Sequence, residues 1–163
     1  PYCSRRVSGR DSVATAADTS LLPPADRFGM TRLGLVVARY NGSVTEPMAT
    51  AARDAAGERG ATIDETLPVP GVYDAPLAAD RLARRSDIDA VAVVGAVVTG
   101  DTDHDRVIAD AAAEALTDIS LDRDVPVTFG VSGPGQSGAE ARERIDKGAE
   151  AVNAAVDMVE TLQ

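Results

Sequence analysis

A single histidine stands among three aspartates in residues 95–116, GAVVTGDTDHDRVIADAAAEAL. It is His104, the only histidine of the 163-residue chain, and its neighbours are Asp101, Asp103 and Asp105. An imidazole in such a place can transfer protons near neutral pH. Aspartates around a histidine could also hold a hard cation, or could cap and solvate the start of a helix without any chemistry.

A helix start at this histidine is common to these interpretations. We predict a helix over residues 104–121, with Thr102 or Asp101 as its cap. The first turn of a helix exposes unpaired N–H groups that can bind an anion. The residues alone leave three roles open for His104: proton transfer, metal binding, or a structural place in a capped helix.

Three further stretches carry groups suited to chemistry: ARYNGS (38–43), PVPGVYD (68–74) and SGPGQSG (132–138). In the second stretch, Tyr73 and Asp74 offer an aromatic ring and a carboxylate that could hold a polar ring. The glycine-rich third stretch lacks the Gly-Lys-Ser/Thr ending of a P-loop, which argues against binding of a nucleoside triphosphate.

Strands and helices that alternate along the chain must position these groups. Apolar runs predict strands over residues 33–38, 62–67, 90–98 and 125–131, and helical periodicity predicts helices over residues 44–59, 73–85, 104–121 and 139–162. This order indicates an α/β fold, a three-layer, flavodoxin-like sandwich with a four-stranded parallel sheet. Ligands of such sheets bind beyond the carboxyl ends of the strands, where all four stretches are expected to meet.

The charge of the chain limits its partners. The net charge is −10, and Lys147 is the only lysine beside 15 arginines. Such a surface repels nucleic acid and anionic lipid, so we expect no nucleic-acid or membrane partner. An acidic composition poor in lysine is typical of halophilic proteins, whose charge repulsion is screened at high ionic strength.

The N-terminal residues and the cysteine content bear on the domain boundary and on the cellular compartment. We interpret residues 1–29 as a disordered tail, with Met30 as a candidate for the natural start, and residues 30–163 as the domain. Cys3 is the only cysteine and cannot form an internal disulfide, which is typical of a reducing compartment. With no secretory leader or bilayer-length apolar run recognised, we expect a cytoplasmic protein.

Taken together in this order, the four stretches resemble the lumazine synthase family from about residue 33 to the C-terminus. ARYN is similar to the family's Ala/Ser-Arg-Phe-Asn, and VPGVYDAPLAA to its Val-Pro-Gly-Ala-Phe/Tyr-Glu-Ile/Leu-Pro-Leu-Ala. GAVVTGDTDHD resembles Gly-x-Val-Ile-x-Gly-x-Thr-x-His, the most specific motif. FGVSGPG and ARERIDKGAEA resemble the last loop and helix of archaeal members.

The resemblance implies a reaction of riboflavin biosynthesis. A 5-amino-6-ribitylaminouracil condenses with 3,4-dihydroxy-2-butanone 4-phosphate through imine formation, phosphate loss, ring closure and dehydration, which yields 6,7-dimethyl-8-ribityllumazine. The resemblance implies that no metal or organic cofactor takes part, and that homo-oligomers form as pentamers or multiples of pentamers.

The resemblance also assigns residues to the uracil substrate. Tyr40 matches the aromatic residue that stacks on the pyrimidine, with Tyr where Phe is usual. The segment that holds the ribityl chain and the ring edge is matched by Val72, Tyr73 and Asp74, the last replacing the commoner Glu. The strand end beside the uracil is matched by Ala96, Val97 and Val98.

Other matches concern the phosphate, the proton and the next subunit. Asp101 and Thr102 match the phosphate-side pair, and His104 matches the proton-transfer residue. Phe129 matches a residue that lines the site from the next subunit. Arg144, in ARER, matches the family's phosphate-binding arginine, and its guanidinium fork suits phosphate. Three positions complete the comparison: Arg142 as the alternative to Arg144, Lys147 where many members have a site lysine, and Thr99 where an arginine is common.

Other functions remain open at this point. An archaeal-type riboflavin synthase shares the fold and dismutates two lumazines, and the intact GDTDH and SGPG stretches favour lumazine synthase over it. A flavodoxin-like binding module without chemistry gives no reason for His104 and Arg144 to converge. An inactive shell protein is the third alternative.

Overall fold

The structure, a computed structural model, describes residues 29–163. Its four strands are β1 (Arg32–Ala38), β2 (Thr62–Val69), β3 (Ala90–Val98) and β4 (Val127–Gln136). They form one parallel sheet in the order β2-β1-β3-β4. The helices are α1 (Gly42–Glu58), α2 (Ala75–Ala83), α3 (His104–Arg123), α4 (Gly138–Arg142) and α5 (Lys147–Leu162), and a 3₁₀ turn at Val72–Asp74 precedes α2. The predicted three-layer α/β fold is confirmed.

The central strand β3 separates two apolar clusters. Its side chains alternate between the faces of the sheet, as strand geometry requires. Ala92 and Val94 pack in the cluster with α1 and α5, while Val91 and Val93 pack in the cluster with α2 and α3. Helices therefore cover both faces of the sheet, and polar groups can gather only at its ends.

The prediction of one long helix over residues 139–162 is wrong. Ser137 and Glu140 form a reciprocal capping box that begins the short helix α4. Residues 143–146 then form tight turns, in which the N–H of Arg144 donates to the Ala141 carbonyl and the N–H of Lys147 donates to the Arg144 carbonyl. Helical periodicity continues across such turns, so the pattern of apolar residues does not reveal the break.

Strand β4 also differs from its prediction. It starts two residues later than expected and continues to Gln136, so that the first five residues of SGPGQSG belong to the strand. The β3–β4 register shifts between Ala96 and Val98, and Val98 pairs with Gln136. The end of β4 therefore lies beside the end of β3 instead of forming an open loop.

The predicted tail lies, apart from Gly29, outside the described residues. Between residues 29 and 163, no helix is long and apolar enough to cross a membrane.

Candidate active site

A cleft of about 460 Å³ lies at the carboxyl ends of the strands. It is formed by the segments that follow β1, β2 and β3. The prediction that groups would meet at this edge therefore holds for three stretches. None of the residues that line the cleft comes from SGPGQSG, five residues of which belong to β4.

Two tyrosines form part of the cleft wall on the side of β1 and β2. Tyr40 and Tyr73 are 73% and 69% exposed, while Val72 beside them is buried. The N–H of Tyr40 donates to the Pro70 carbonyl at 2.9 Å, which ties the two segments together. Exposed rings in a cleft wall can stack on a flat heterocycle.

Asn41 fixes the turn between β1 and α1. Its φ of 61° lies in the left-handed region, where Asn is tolerated better than most residues. Its side-chain Nδ2 donates to the Ala96 carbonyl at 3.1 Å, and its own carbonyl accepts the N–H of Val44. Asn41 therefore joins the segment that carries Tyr40 to the end of β3.

The opposite wall combines the end of β3 with the start of α3. Ala96, Val97 and Val98 line the cleft from the strand, and Thr102 and His104 line it from the connection and the helix. The wall therefore joins an apolar strand end to a hydroxyl and an imidazole.

The expected cap of α3 is not found. The helix begins at His104, as predicted, but the residue at its cap is Asp103 rather than Thr102 or Asp101. The Asp103 side chain makes no capping hydrogen bond. Helix capping therefore does not explain the aspartates before the histidine.

The aspartate after the histidine, Asp105, is buried and accepts hydrogen bonds from two other segments of the chain. Asp105 is 8% exposed, and its Oδ2 accepts hydrogen bonds from the Gly135 N–H at 3.0 Å and from the Thr99 hydroxyl at 3.2 Å. The Gly135 N–H holds the pKa of Asp105 below its ordinary value, and the Arg106 N–H and the Thr99 hydroxyl act in the same direction against the effect of burial.

Several lining residues were not assigned to the site from the sequence. Asn41, Pro70 and Gly71 belong to stretches that the sequence did single out, whereas Ile108 carried no signal of its own. The unassigned lining residues are Asn41, Pro70, Gly71, Gly100, Asp105 and Ile108.

Four residues assigned to the site do not line the cleft of their own chain: Asp74, Asp101, Phe129 and Arg144. The Asp74 carboxylate instead accepts the Gly71 N–H at 3.0 Å and closes the 3₁₀ turn. Phe129 is 39% exposed on β4, which is an edge strand of the sheet. Arg144 is exposed in the turns between α4 and α5.

The two other basic residues considered for the site are also outside the cleft. Arg142 is exposed at the end of α4. Lys147 Nζ forms an ion pair with Glu150 at 2.6 Å. Neither residue lines the cleft.

The cleft can hold a flat polar ring and transfer a proton beside it. Its walls offer two tyrosine rings, an apolar strand end and an imidazole at the first turn of a helix, where anions are favoured. In the described part of the chain, no group of three or more His, Cys, Asp or Glu side chains could hold a metal ion.

Comparisons with known proteins identify the family of this chain. The family model for 6,7-dimethyl-8-ribityllumazine synthase matches residues 30–163. A 6,7-dimethyl-8-ribityllumazine synthase of Halorubrum lacusprofundi is 72% identical over 133 residues, which cover 82% of this chain and 99% of the relative. The enzyme of that name from Halobacterium salinarum is 71% identical over 82% of this chain and all of the relative. One from Methanosarcina barkeri is 48% identical over 80% of this chain and 97% of the relative. The chain belongs to the 6,7-dimethyl-8-ribityllumazine synthase family.

Proposed function

We propose that this cleft is the place where the chain, a transferase of riboflavin biosynthesis, condenses its two substrates. The substrates are 5-amino-6-(D-ribitylamino)uracil and 3,4-dihydroxy-2-butanone 4-phosphate, and the product is 6,7-dimethyl-8-ribityllumazine. The observation that carries this assignment is the presence of Tyr40, the β3 end and His104 in one cleft of a chain that belongs to this family.

The uracil substrate lies against the tyrosines and the strand end. Tyr40 stacks on the pyrimidine, and Ala96, Val97 and Val98 border the ring. The ribityl chain extends along residues 72–74, where Asp74 reaches it directly or through the turn that its carboxylate closes. Holding both substrates in one orientation supplies much of the acceleration, because the amine and the ketone are intrinsically reactive.

His104 moves protons during the condensation. Imine formation and ring closure each release water, and loss of phosphate requires removal of a proton from carbon. An imidazole at the cleft wall can accept a proton in one step and return it in another.

The phosphate lies at the start of α3, beside Asp101 and Thr102. The helix dipole favours an anion there, but acidic side chains nearby oppose it. A guanidinium is needed to balance that charge, and Arg144 supplies it. Because Arg144 and Phe129 do not line their own chain's cleft, we assign both to the cleft of a neighbouring copy in a homo-oligomer, a pentamer or a multiple of it.

The remaining features concern the setting of the enzyme. Residues 30–163 form the catalytic unit, which carries 12 basic and 23 acidic residues. We assign it to the cytoplasm and to high salt, where its charge repulsion is screened. The partners are the two small substrates and further copies of the chain, rather than nucleic acid or membranes.

The direct test is turnover of both substrates, followed by the absorbance of the lumazine, at low and at multimolar salt. Product should appear only when both substrates are present, and faster at high salt. Incubation with the lumazine alone tests the riboflavin synthase alternative, and formation of riboflavin there would contradict the assignment. An inactive shell protein or binding module would give no product in either mixture.

A further inference from the structure

Asp105 differs from the other acidic residues of its loop in being buried. It follows His104 directly on α3 and is 8% exposed, whereas Asp101 and Asp103 are exposed. A buried carboxylate loses its hydration and is stable only when hydrogen-bond donors replace the water. The hydrogen-bond donors to Asp105 therefore show which segments of the chain it connects.

The donors come from two segments that are distant in sequence. The Thr99 hydroxyl, just beyond β3, and the Gly135 N–H, near the end of β4, both reach Oδ2 of Asp105, at 3.2 and 3.0 Å. One carboxylate oxygen thus joins the start of α3 to the ends of β3 and β4. Hydrogen bonds to a charged acceptor are about twice as strong as those between neutral groups.

The end of β4 transmits this contact to the cleft. The Thr99 N–H donates to the Gln136 carbonyl at 2.8 Å, directly beside Gly135. Gly133 has a φ of +100°, and a Cβ there would lie 1.9 Å from the Val97 carbonyl oxygen, so β4 lies in close backbone contact with β3. A movement of Gly135 therefore reaches Val97 and Val98, which line the cleft.

We infer that Asp105 is a positioning residue, which fixes His104 and the β3 edge of the cleft through its bonds to Thr99 and Gly135. This inference rests on the proposed function for its effect on turnover. Asp105 also lines the cleft, but its low pKa makes it a poor proton acceptor near neutral pH, which favours positioning over proton transfer. In this chain, Thr99 and Asp105 together stabilise the connection that leads from β3 to the catalytic histidine.

A graded pair of substitutions tests the carboxylate. In Asp105→Asn the amide oxygen can still accept both bonds as neutral ones, whereas Asp105→Ala removes them. We expect turnover per folded molecule to fall a few-fold in Asn and roughly ten- to hundredfold in Ala, since small misplacements of catalytic groups have effects of this size. The KM for the uracil substrate should rise in the same order. Asp110→Asn, an exposed aspartate of the same helix that does not line the cleft, is the matched control and should keep the turnover and both KM values of wild type.

Thr99 provides a second arm that does not remove the charge. Thr99→Val removes one of the donors to Asp105 and should lower turnover, as Asp105→Asn does. Thr99→Ser keeps the hydroxyl and should have the turnover of wild type. If Asp105→Ala does not fold, this pair and Asp105→Asn still decide the matter. Variants that lose only melting temperature, with turnover per folded molecule and both KM values unchanged, would overturn the inference.

Amide hydrogen exchange separates this inference from the proposed function. The Gly135 amide should be protected in wild type and should exchange faster in Asp105→Ala, whether or not the protein turns over substrate. If wild type has no turnover but the Gly135 amide exchanges faster in Asp105→Ala, the proposed function and the catalytic role of Asp105 are contradicted. The hydrogen bond between Asp105 and Gly135 is then still supported. Turnover with unchanged Gly135 exchange in Asp105→Ala would contradict the positioning role alone.

Discussion

At the scale of single residues, His104 is the most direct test of the chemistry. We expect His104→Ala to fold and to assemble as wild type does, because the side chain makes no hydrogen bond in the described structure and is exposed. Its kcat should fall by up to about a hundredfold, the lower end of the range for a general acid–base group. Some activity should persist, since orientation of two reactive substrates carries much of the rate. Steady-state kinetics across pH measure this, and one limb of the wild-type profile should disappear.

A structural role for His104 predicts a different result. A surface substitution without a partner usually changes stability by less than about 0.5 kcal/mol and leaves kcat unchanged. Wild-type kcat with an unaltered pH profile in His104→Ala would therefore remove the histidine from the mechanism.

Asp105 gives a pH-dependent prediction for stability. Its pKa in the folded protein is below the ordinary value of 3.8, with the Gly135 N–H as the largest cause. The carboxylate therefore stabilises the fold fully above its unfolded pKa, and this contribution is lost as the pH falls through the folded pKa. The difference in melting temperature between wild type and Asp105→Asn should be largest near pH 6 and shrink below about pH 3. A constant difference over this range would show that the charge contributes nothing.

Residue types in the motifs could be predicted from sequence, but their partners could not. The sequence indicated His104 as the only histidine, set among aspartates, and the resemblance to the lumazine synthase family indicated Tyr40. It could not show that Asp105 accepts a hydrogen bond from Gly135, 30 residues away, or that Asn41 donates to Ala96. Such bonds depend on the register of β3 and β4, which shifts beside the site and leaves no local pattern.

At the scale of elements, replacement of glycine by alanine should have opposite effects on stability at two positions, Gly148 and Gly57. A Cβ at Gly148 of α5 would lie 2.0 Å from the Met48 carbonyl oxygen of α1, so Gly148→Ala must force the two helices apart. We expect it to destabilise the fold by about 1–3 kcal/mol or more. Gly57 lies inside α1 with nothing within 4 Å of its Cβ position, and Gly57→Ala should stabilise by about 0.5–1 kcal/mol.

Denaturant unfolding of both variants measures this contrast. Equal effects at the two positions would show that the contact between α1 and α5 is looser than the structure has it. The m-value should remain that of wild type if the substitutions act on stability alone.

The boundaries of α4 and α5 show why elements are predicted less well than folds. Strand–helix alternation and apolar strands were enough to predict a parallel sheet covered on both faces. The break at residues 143–146 depends on tertiary geometry, because Gly148 of α5 packs closely against Met48 of α1. One uninterrupted helix over residues 139–162 would not have to place Gly148 at that contact. Apolar periodicity reports which face is buried, not whether the axis is continuous.

At the scale of the whole molecule, excess negative charge predicts stabilisation by salt. Helix α3 carries exposed acidic residues at every fourth position, and like charges at this spacing destabilise a helix. None of them forms an ion pair among residues 29–163. They are Asp110, Glu114, Asp118 and Asp122. Potassium chloride shortens the screening length from about 30 Å at 0.01 M to about 3 Å at 1 M, so the melting temperature should rise over that range.

A neutralised helix provides the control for the salt effect. Glu114→Gln combined with Asp118→Asn should raise the melting temperature at low salt and reduce its increase with salt. Exposed ion pairs such as Arg59–Asp157 weaken with salt, but each contributes only about 0–1 kcal/mol. A wild-type melting temperature that is flat or falls with salt would contradict the assignment to a saline environment.

The last prediction concerns assembly, because two residues assigned to the site, Phe129 and Arg144, lie outside the cleft of their own chain. If Arg144 acts in the cleft of a neighbouring copy, Arg144→Ala should raise the KM for the butanone phosphate far more than the KM for the uracil.

Co-assembly of His104→Ala with Arg144→Ala should then restore activity, since some sites combine an intact His104 from one copy with an intact Arg144 from the next. Random mixing of equal amounts gives about one quarter of such sites, measured at subsaturating phosphate substrate against each variant alone. Mixing His104→Ala with Tyr40→Ala is the matched control, because both residues line the cleft of the same chain and no intact site can form. No recovery in the test pair would place Arg144 in the site of its own chain or outside the site altogether. Recovery in the control pair would show that His104 and Tyr40 act in different sites.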